Sequence, residues 1–199
     1  MTPYKNLNEK NMNPNEKATR QRSKFLSLVL RHQPASIGIQ LDREGWTDVT
    51  LLLHQMSKHR QKMTVQELID VVENNDKKRF QISADGQKIR AVQGHSSTQV
   101  QRDYSPTIPP DVLYHGTATR FVDSILQQGL IAGSRHHVHL SADLVTTTKV
   151  GQRHGKVIIF KIDTAQMQHA GFQFYQAENG VWLTEHVPSA YLTQITSSF

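Results

Sequence analysis

The segment 96–110 divides the chain into two halves with different residue patterns. It is rich in Ser, Thr and Gln and ends in Pro106 and Pro109-Pro110, a composition typical of irregular linkers because proline lacks the backbone N–H that helices and sheets use. The 199 residues are enough for two small domains. We therefore predict a flexible tail over 1–20, a first lobe over 21–95, the linker 96–110 and a second lobe over 111–199.

The first lobe has the pattern of three helices followed by a hairpin, the order of a winged helix. The predicted elements are a helix over Arg22–Arg31 that stops before Pro34, a short strand over Ile37–Leu41, a helix capped by Thr47 or Asp48, a helix opened by the capping box of Thr64 and Glu67, and strands over Phe80–Ile82 and Ile89–Val92 around the turn Asp85-Gly86. Winged helices commonly bind nucleic acid.

The second lobe is richer in strands, with short helices between them. The predicted elements are strands over Val112–His115, His137–Leu140 and Val157–Ile162, helices capped by Thr119, Ser141 and Asp163, and a hairpin of Phe172–Tyr175 and Val181–Thr184 around a type I′ turn at Asn179-Gly180. This pattern favours the α+β class.

The positive charge is concentrated before the second lobe. Residues 1–110 hold 17 Lys and Arg against 11 Asp and Glu, whereas residues 111–199 hold six of each. A basic half beside a neutral half suggests that one lobe meets a polyanion, although a generic basic surface would give the same count.

Composition also limits location and chemistry. The absence of cysteine excludes disulfides and thiolate zinc sites, and it fits a cytoplasmic protein. No apolar run approaches the roughly 20 residues of a membrane span, and the first twenty residues lack the apolar core of a secretory signal.

Three arginines stand in positions suited to an anion. Arg31 and His32 end the first helix, where cations also simply complement the helix dipole. Arg79 flanks a strand, and Arg153 lies between Gly151 and Gly155. Arginine suits phosphate because its planar group donates two parallel hydrogen bonds and keeps its charge.

Histidines and a glycine of the second lobe suggest a polar ligand. In His115-Gly116-Thr117 the glycine would let a flat ring approach the backbone, and the flanking side chains could bind ribose hydroxyls. His137 and His139 share one strand face as metal ligands do, but no carboxylate or cysteine stands nearby as a third ligand. Ring stacking or hydrogen bonding to a cofactor is therefore favoured over a metal.

Taken together, several phrases resemble the RNA 2′-phosphotransferase family, with the bacterial KptA type the most similar. They are Ser23–His32, Asp42-Arg43-Glu44-Gly45-Trp46, Lys78-Arg79-Phe80, Ile89–His95, Leu113–Thr117, His137–Ser141, Val150–Gly155 and Asn179–Thr184. The resemblance runs from about Ser23 to the C-terminal region.

The resemblance implies a winged-helix RNA lobe joined to an ADP-ribosyltransferase-like lobe with a split β-sheet. It implies an NAD-dependent enzyme, without a metal, that transfers an internal RNA 2′-phosphate to NAD through ADP-ribosylated RNA and releases nicotinamide and ADP-ribose 1″,2″-cyclic phosphate. Such enzymes are associated with tRNA splicing, and no obligate protein partner is implied.

The resemblance also assigns roles to single residues. Arg31, His32, Arg79 and Arg153 match the family's catalytic set, with the arginines of both lobes around one phosphate. His115, Gly116, Thr117, His139 and Ser141 match its NAD contacts.

Two other functions remain compatible with the sequence. One is an ADP-ribosyltransferase that modifies terminal phosphates of nucleic acid, and the other is a non-catalytic winged-helix protein that binds nucleic acid. Many ADP-ribosyltransferases carry a catalytic Glu on a late strand; here the matching position is apolar, but Glu178 lies close by in sequence.

Overall fold

The computed structural model describes residues 14–75, 77–152 and 155–195. The chain forms two compact units, and the boundary falls between Arg102 and Asp103, inside the predicted linker. Both units combine helices with small antiparallel sheets, which confirms the α+β class.

Within residues 14–75 and 77–102, the first unit contains three α-helices and a three-stranded sheet. Its elements are α1 (Pro14–Arg31), β1 (Thr47–Asp48), α2 (Val49–Lys58), α3 (Val65–Glu73), β2 (Phe80–Ile82) and β3 (Lys88–Ala91), and β3 lies between β1 and β2. Leu26, Val29 and Leu30 of α1 are fully buried against the apolar faces of α2, α3 and the sheet.

Local signals start two of these helices as predicted. The carboxylate of Asp48 accepts a hydrogen bond from the Leu51 N–H (2.7 Å) at the beginning of α2. Thr64 and Glu67 form the predicted capping box of α3, each side chain accepting a hydrogen bond from the other residue's backbone N–H. These bonds satisfy donors that a helix start otherwise leaves unpaired.

The structure corrects two predictions in this unit. α1 begins at Pro14, so residues 14–20 of the predicted tail are helical, while residues 1–13 lie outside the described residues. The predicted strand Ile37–Leu41 is instead a 3-10 turn over Pro34–Ile37 followed by irregular chain. Gly38, at φ +72°, ends that turn, and Ile39 and Leu41 are buried without belonging to a strand.

The described part of the second unit, residues 103–152 and 155–195, contains three short α-helices and eight short strands. They are β4 (Val112–Ala118), α4 (Val122–Gln128), β5 (Leu130–Ile131), β6 (Val138–Leu140), α5 (Leu144–Gly151), β7 (Val157–Asp163), α6 (Thr164–His169), β8 (Tyr175–Gln176), β9 (Trp182–Thr184), β10 (His186–Val187) and β11 (Leu192–Ile195). One sheet has the order β11-β7-β4, another β6-β9-β8, and β5 pairs with β10.

Two pairs of residues extend these sheets. Tyr114 of β4 and Ser141, just after β6, exchange backbone hydrogen bonds of 2.8 and 3.0 Å, which joins the two three-stranded sheets. Pro106 lies opposite Tyr175 of β8, and the Thr107 N–H donates to the Phe174 carbonyl (2.8 Å). The second part of the predicted linker is therefore fixed to the second unit.

Two predicted helix caps in this unit are wrong, and one is confirmed. Asp143 rather than Ser141 caps α5, accepting hydrogen bonds from the N–H groups of Val145 and Thr146. A 3-10 turn over Thr119–Phe121 precedes α4, and Thr119 makes no capping bond. Asp163 caps α6 as predicted.

The hairpin of β8 and β9 forms, but its turn differs from the prediction. A type I′ turn requires positive φ at both central residues. Gly180 has φ +78°, whereas Asn179 is not among the residues with positive φ. Hydrogen bonds from Gly180 N–H to the Ala177 carbonyl and from Ala177 N–H to the Val181 carbonyl indicate a longer loop with glycine in the left-handed position.

Among the described residues, no helix combines the length and apolar character needed to cross a lipid bilayer.

Candidate active site

Arg31 ends α1 and is held beneath the chain segment that follows β3. Its side chain is buried, at 9% exposure, and its carbonyl accepts a hydrogen bond from the Ser96 N–H (2.9 Å). Gly94 lies against the guanidinium: a Cβ at this position would stand 3.7 Å from Cδ, Cζ and Nη1 of Arg31. These are ordinary van der Waals distances, so glycine is favoured at position 94 by its backbone conformation, φ +87°, rather than by a lack of space.

His32 follows Arg31 and is oriented by the same segment. Its Nδ1 lies 3.0 Å from the Ser96 Oγ. Because the hydroxyl can both donate and accept, either imidazole tautomer can make this bond. Ser96 therefore contacts both residues, through its backbone N–H and its side chain.

Arg79 is positioned by a buried asparagine. Its Nη1 donates to the Asn75 Oδ1 (3.0 Å), and the Asn75 Nδ2 donates to the Ser23 Oγ on α1 (2.9 Å). The Arg79 carbonyl accepts from the Val92 N–H (3.0 Å), which continues the β2–β3 pairing. Asn75 thus fixes Arg79 relative to α1.

The motif Asp42–Trp46 anchors the segment that carries Gly94 and Ser96. Glu44 lies 3.4 Å from Arg90 and 3.7 Å from Arg102, and the Arg90 guanidinium lies over the Trp46 ring at 4.4 Å. Arg102 Nη1 also donates to the Val92 carbonyl. These contacts hold both ends of the segment 92–102.

A glycine allows a further contact with this segment. Gly45 adopts φ +83°, and a Cβ there would come within 2.9 Å of the His95 Nε2. The motif therefore supports the segment beside Arg31 and His32, a role that its sequence alone does not reveal.

In the second unit, His115 and Ser141 are brought together by strand pairing. The His115 Nδ1 lies 3.1 Å from the His139 carbonyl, and Tyr114, its neighbour on β4, pairs with Ser141. His115, His139 and Ser141 are half-buried. Three of the five predicted cofactor residues therefore lie at the junction of the two sheets.

Gly116 and Thr117 are buried residues of β4, and the backbone of both lies close to α5. A Cβ at Gly116 would lie 2.2 Å from the Thr147 carbonyl oxygen, and one at Gly151 would lie 3.1 Å from the Thr117 carbonyl oxygen. Gly116 is therefore required for α5 to pack on β4. Strand alternation places His115 and Thr117 on the face opposite Gly116.

The histidines before β6 lie among aromatic rings. His137 makes edge contacts with Tyr104 (5.9 Å between centroids) and Tyr175 (5.7 Å). Burial holds the pKa of His137 below its ordinary value, and the neighbouring His136 lowers the pKa further, while Glu185 opposes the shift. Arg135 Nη1 lies 3.4 Å from the His139 Nδ1, and Arg135 itself is exposed.

The remaining predicted residues are placed as follows. Arg153 lies outside the described residues. Glu178 is exposed in the loop between β8 and β9. Within residues 14–75, 77–152 and 155–195, no group of three or more His, Cys, Asp or Glu side chains is arranged to hold a metal ion.

The sequence prediction missed Ser23, Asn75, Gly94 and Ser96 as residues that position the site. Gly94 lies inside the segment Ile89–His95, which resembles the family, and Ser96 follows that segment directly. Their contacts with Arg31 and His32 depend on tertiary packing, which no local spacing reports.

Comparison with known proteins identifies the family. The model of the RNA 2′-phosphotransferase, Tpt1 / KptA family matches residues 17–186. The chain belongs to the RNA 2′-phosphotransferase family. The family resemblance seen in the sequence is thereby confirmed, and so is the prediction that the protein is a transferase.

Curated relatives in the family cover most of the chain. A probable RNA 2′-phosphotransferase of Pseudomonas fluorescens (strain Pf-5) is 56% identical over 178 residues, which is 89% of this chain and 97% of the relative. One of Pectobacterium carotovorum is 56% identical over 170 residues, 85% and 91% of the two chains. One of Escherichia coli O139:H28 is 53% identical over 178 residues, with 89% and 97% covered.

Proposed function

We propose that this protein removes an internal 2′-phosphate from RNA by transferring it to NAD, with nicotinamide and ADP-ribose 1″,2″-cyclic phosphate as the other products. The observation that carries the proposal is the family match, because residues 17–186 include every predicted catalytic and cofactor residue. We further propose that the first unit is a winged-helix RNA lobe, that the second is an ADP-ribosyltransferase-like lobe, and that the protein acts in the cytoplasm.

The residues of the first unit suit a phosphate. Arg31 is buried and backed by Gly94, and Arg79 is held by Asn75. Rigid, desolvated guanidinium groups bind phosphate more strongly than mobile surface cations, since less side-chain entropy is lost and the local dielectric is low. We assign Arg31 and Arg79 to binding the 2′-phosphate and to stabilising the charge that builds as the phosphate is transferred.

His32 is assigned to proton transfer or to holding a ribose hydroxyl. Histidine exchanges protons near neutral pH, and the contact with Ser96 limits rotation of the ring. A phosphate dianion is already a nucleophile, so the protein contributes positioning more than activation of this group. Arg153 is assigned to the same phosphate on the family resemblance alone.

The donor set of the second unit fits a dinucleotide. Imidazoles of His115 and His139 and the hydroxyl of Ser141 lie around the junction of the sheets, and such groups suit ribose hydroxyls and a carboxamide. Buried Gly116 and Thr117 fix the backbone beside them. When bound, NAD supplies an electrophilic ribose carbon with nicotinamide as its leaving group.

The test is incubation of the purified protein with NAD and an RNA oligonucleotide that carries one internal 2′-phosphate. We expect one nicotinamide released for each 2′-phosphate lost, and RNA with a free 2′-hydroxyl by mass spectrometry. The same oligonucleotide without the 2′-phosphate, and one with only a terminal phosphate, are the controls. No nicotinamide release from the 2′-phosphorylated RNA would overturn the proposal, and a stable ADP-ribose adduct on the terminal phosphate would favour the alternative transferase.

A further inference from the structure

We propose that the turn between α2 and α3 is a second RNA-binding surface, which contacts backbone phosphates of the substrate through residues other than the predicted catalytic set. We call Lys58, His59, Arg60 and Lys62, with His54 one turn earlier on α2, the basic turn. The proposal rests on the proposed function in taking RNA as the substrate.

The basic turn is exposed and carries no counterion from the described chain. All five side chains are exposed, and the sequence has no Asp or Glu from residue 49 to residue 66. Within residues 14–75, 77–152 and 155–195, none of Lys58, Arg60 and Lys62 has an ion pair or a side-chain hydrogen bond. Clustered cations without partners create a local positive potential that attracts polyanions.

The backbone at Arg60 is a second and independent observation. α2 ends in a Schellman motif, in which the Gln61 N–H donates to the Met56 carbonyl (2.9 Å) and the Arg60 N–H to the Ser57 carbonyl (3.3 Å). In this motif the residue after the C-cap, here Arg60, takes a left-handed conformation, and glycine is strongly preferred there. Arg60 has φ +59°. Within the described residues the Arg60 side chain makes no ion pair or hydrogen bond, so we infer that this strained arginine serves binding.

Helix α3 contrasts with the basic turn. It contains Glu67, Asp70 and Glu73 and no Lys or Arg, and Glu67 is paired with Arg22 (2.7 Å). In a winged helix, the third helix commonly enters a groove of the nucleic acid. Here its carboxylates would repel phosphates, whereas the turn before it would attract them. The charge pattern therefore favours the basic turn over α3 as the RNA contact.

The test is fluorescence anisotropy with a labelled single-stranded RNA that lacks a 2′-phosphate, so that binding is read without the reaction. The variant Lys58→Gln/Arg60→Gln/Lys62→Gln is compared with the matched control Lys149→Gln/Lys156→Gln/Lys161→Gln, which removes three exposed cations of the second unit. If each cation neutralises one phosphate, the slope of log affinity against log salt becomes shallower by about 0.7 per cation, or about 2 in all. The control variant keeps the parent's slope.

Single substitutions separate binding from folding. Arg60→Gly relieves the left-handed strain, so it should keep or raise the thermal midpoint while weakening RNA affinity, and Arg60→Lys should retain most of the affinity. Parent-like affinity and salt slope in the triple variant would overturn the proposal. Loss of binding to phosphatidylserine vesicles in the triple variant, with RNA affinity unchanged, would also overturn the proposal. That result would assign the basic turn to a membrane surface.

Turnover of a short 2′-phosphorylated dinucleotide distinguishes this proposal from the proposed function. The triple variant should turn it over at the parent's rate, because a dinucleotide is too short to need a second surface. If the parent protein itself fails to turn it over, the proposed function fails, while the binding assay still decides whether the basic turn holds RNA.

Discussion

At the residue scale, Ser96 links Arg31, which ends α1, with His32, which follows it. Its backbone N–H holds the Arg31 carbonyl, and its hydroxyl lies 3.0 Å from the His32 Nδ1. The His32 side chain is exposed, and the contact with Ser96 restrains the orientation of its ring. Ser96 is therefore a positioning residue, which acts on the reaction through His32.

Ser96→Ala should lower kcat with little change in KM for NAD, because the backbone contact remains and only the imidazole loses its partner. Loss of a hydrogen bond worth about 1 kcal/mol corresponds to a fall of about five- to tenfold. Steady-state kinetics measure the split between kcat and KM. Ser96→Thr keeps the hydroxyl and should retain the parent's activity, and Ser97→Ala, at the neighbouring serine, is the control. A parent-like kcat in Ser96→Ala would show that Ser96 does not position His32.

A second residue-scale effect concerns the histidine among the aromatic rings. The folded pKa of His137 is below that of the unfolded chain, chiefly through burial. The unfolded chain therefore binds the proton more readily, and the free energy of unfolding falls as pH drops below the unfolded value of about 6.5. The contribution is complete above that pH.

His137→Gln should flatten this part of the stability profile. Urea unfolding at pH values between about 7.5 and 5.5, one unit on either side of that unfolded pKa, measures the slope of the unfolding free energy against pH. His169→Gln on α6, where the histidine is exposed, should keep the parent's slope. If His137→Gln also leaves the slope unchanged, His137 does not account for the pH dependence.

At the element scale, the contact of α5 with β4 positions the sheet junction. The Thr147 carbonyl approaches Gly116 so closely that no side chain fits between them. The same strand carries His115, whose ring contacts the backbone of β6. The packing of one helix thus determines where the predicted cofactor residues lie.

Gly116→Ala should force α5 away from β4, because a Cβ 2.2 Å from a backbone oxygen cannot be accommodated by a side-chain movement. Overpacking of this kind costs about 1–3 kcal/mol, measured as a lower free energy of unfolding in urea. Gly133→Ala is the matched control: its φ of +64° strains an alanine, but no atom lies within 4 Å of the added Cβ. A smaller loss in Gly116→Ala than in the control would contradict the packing argument.

The helix caps show what the sequence could and could not predict. The caps at Asp48, Thr64 and Asp163 were predictable because each bond joins residues three apart. Ser141 and Asp143 were both plausible caps for α5, and Asp143 fills the role because Ser141 is held in the bridge to Tyr114.

The candidate site was predictable only in part, because the contacts that support it join residues far apart in sequence. Arg31, His32 and Arg79 stand in recognisable phrases. The residues that fix them, such as Asn75 and Ser96, act across 52 and 64 positions of chain to Ser23 and His32. Only tertiary structure reveals contacts of that range.

At the scale of the whole molecule, charge and chemistry are divided between the two units. Residues 1–102 hold 17 Lys and Arg against 10 Asp and Glu, and residues 103–199 hold six against seven. The first unit contains the predicted phosphate-binding residues of the described chain, and the second contains the predicted NAD residues. We therefore assign most of the RNA contacts to the first unit and NAD to the second.

Single-turnover kinetics of Arg79→Ala test this division most directly. NAD affinity is measured in the absence of RNA, and nicotinamide release and cyclic-phosphate formation are followed together with 2′-phosphorylated RNA. We expect parent-like NAD affinity with slower formation of the cyclic phosphate, and Lys161→Gln serves as the control. Weakened NAD binding with an unchanged rate of phosphate transfer would contradict this division.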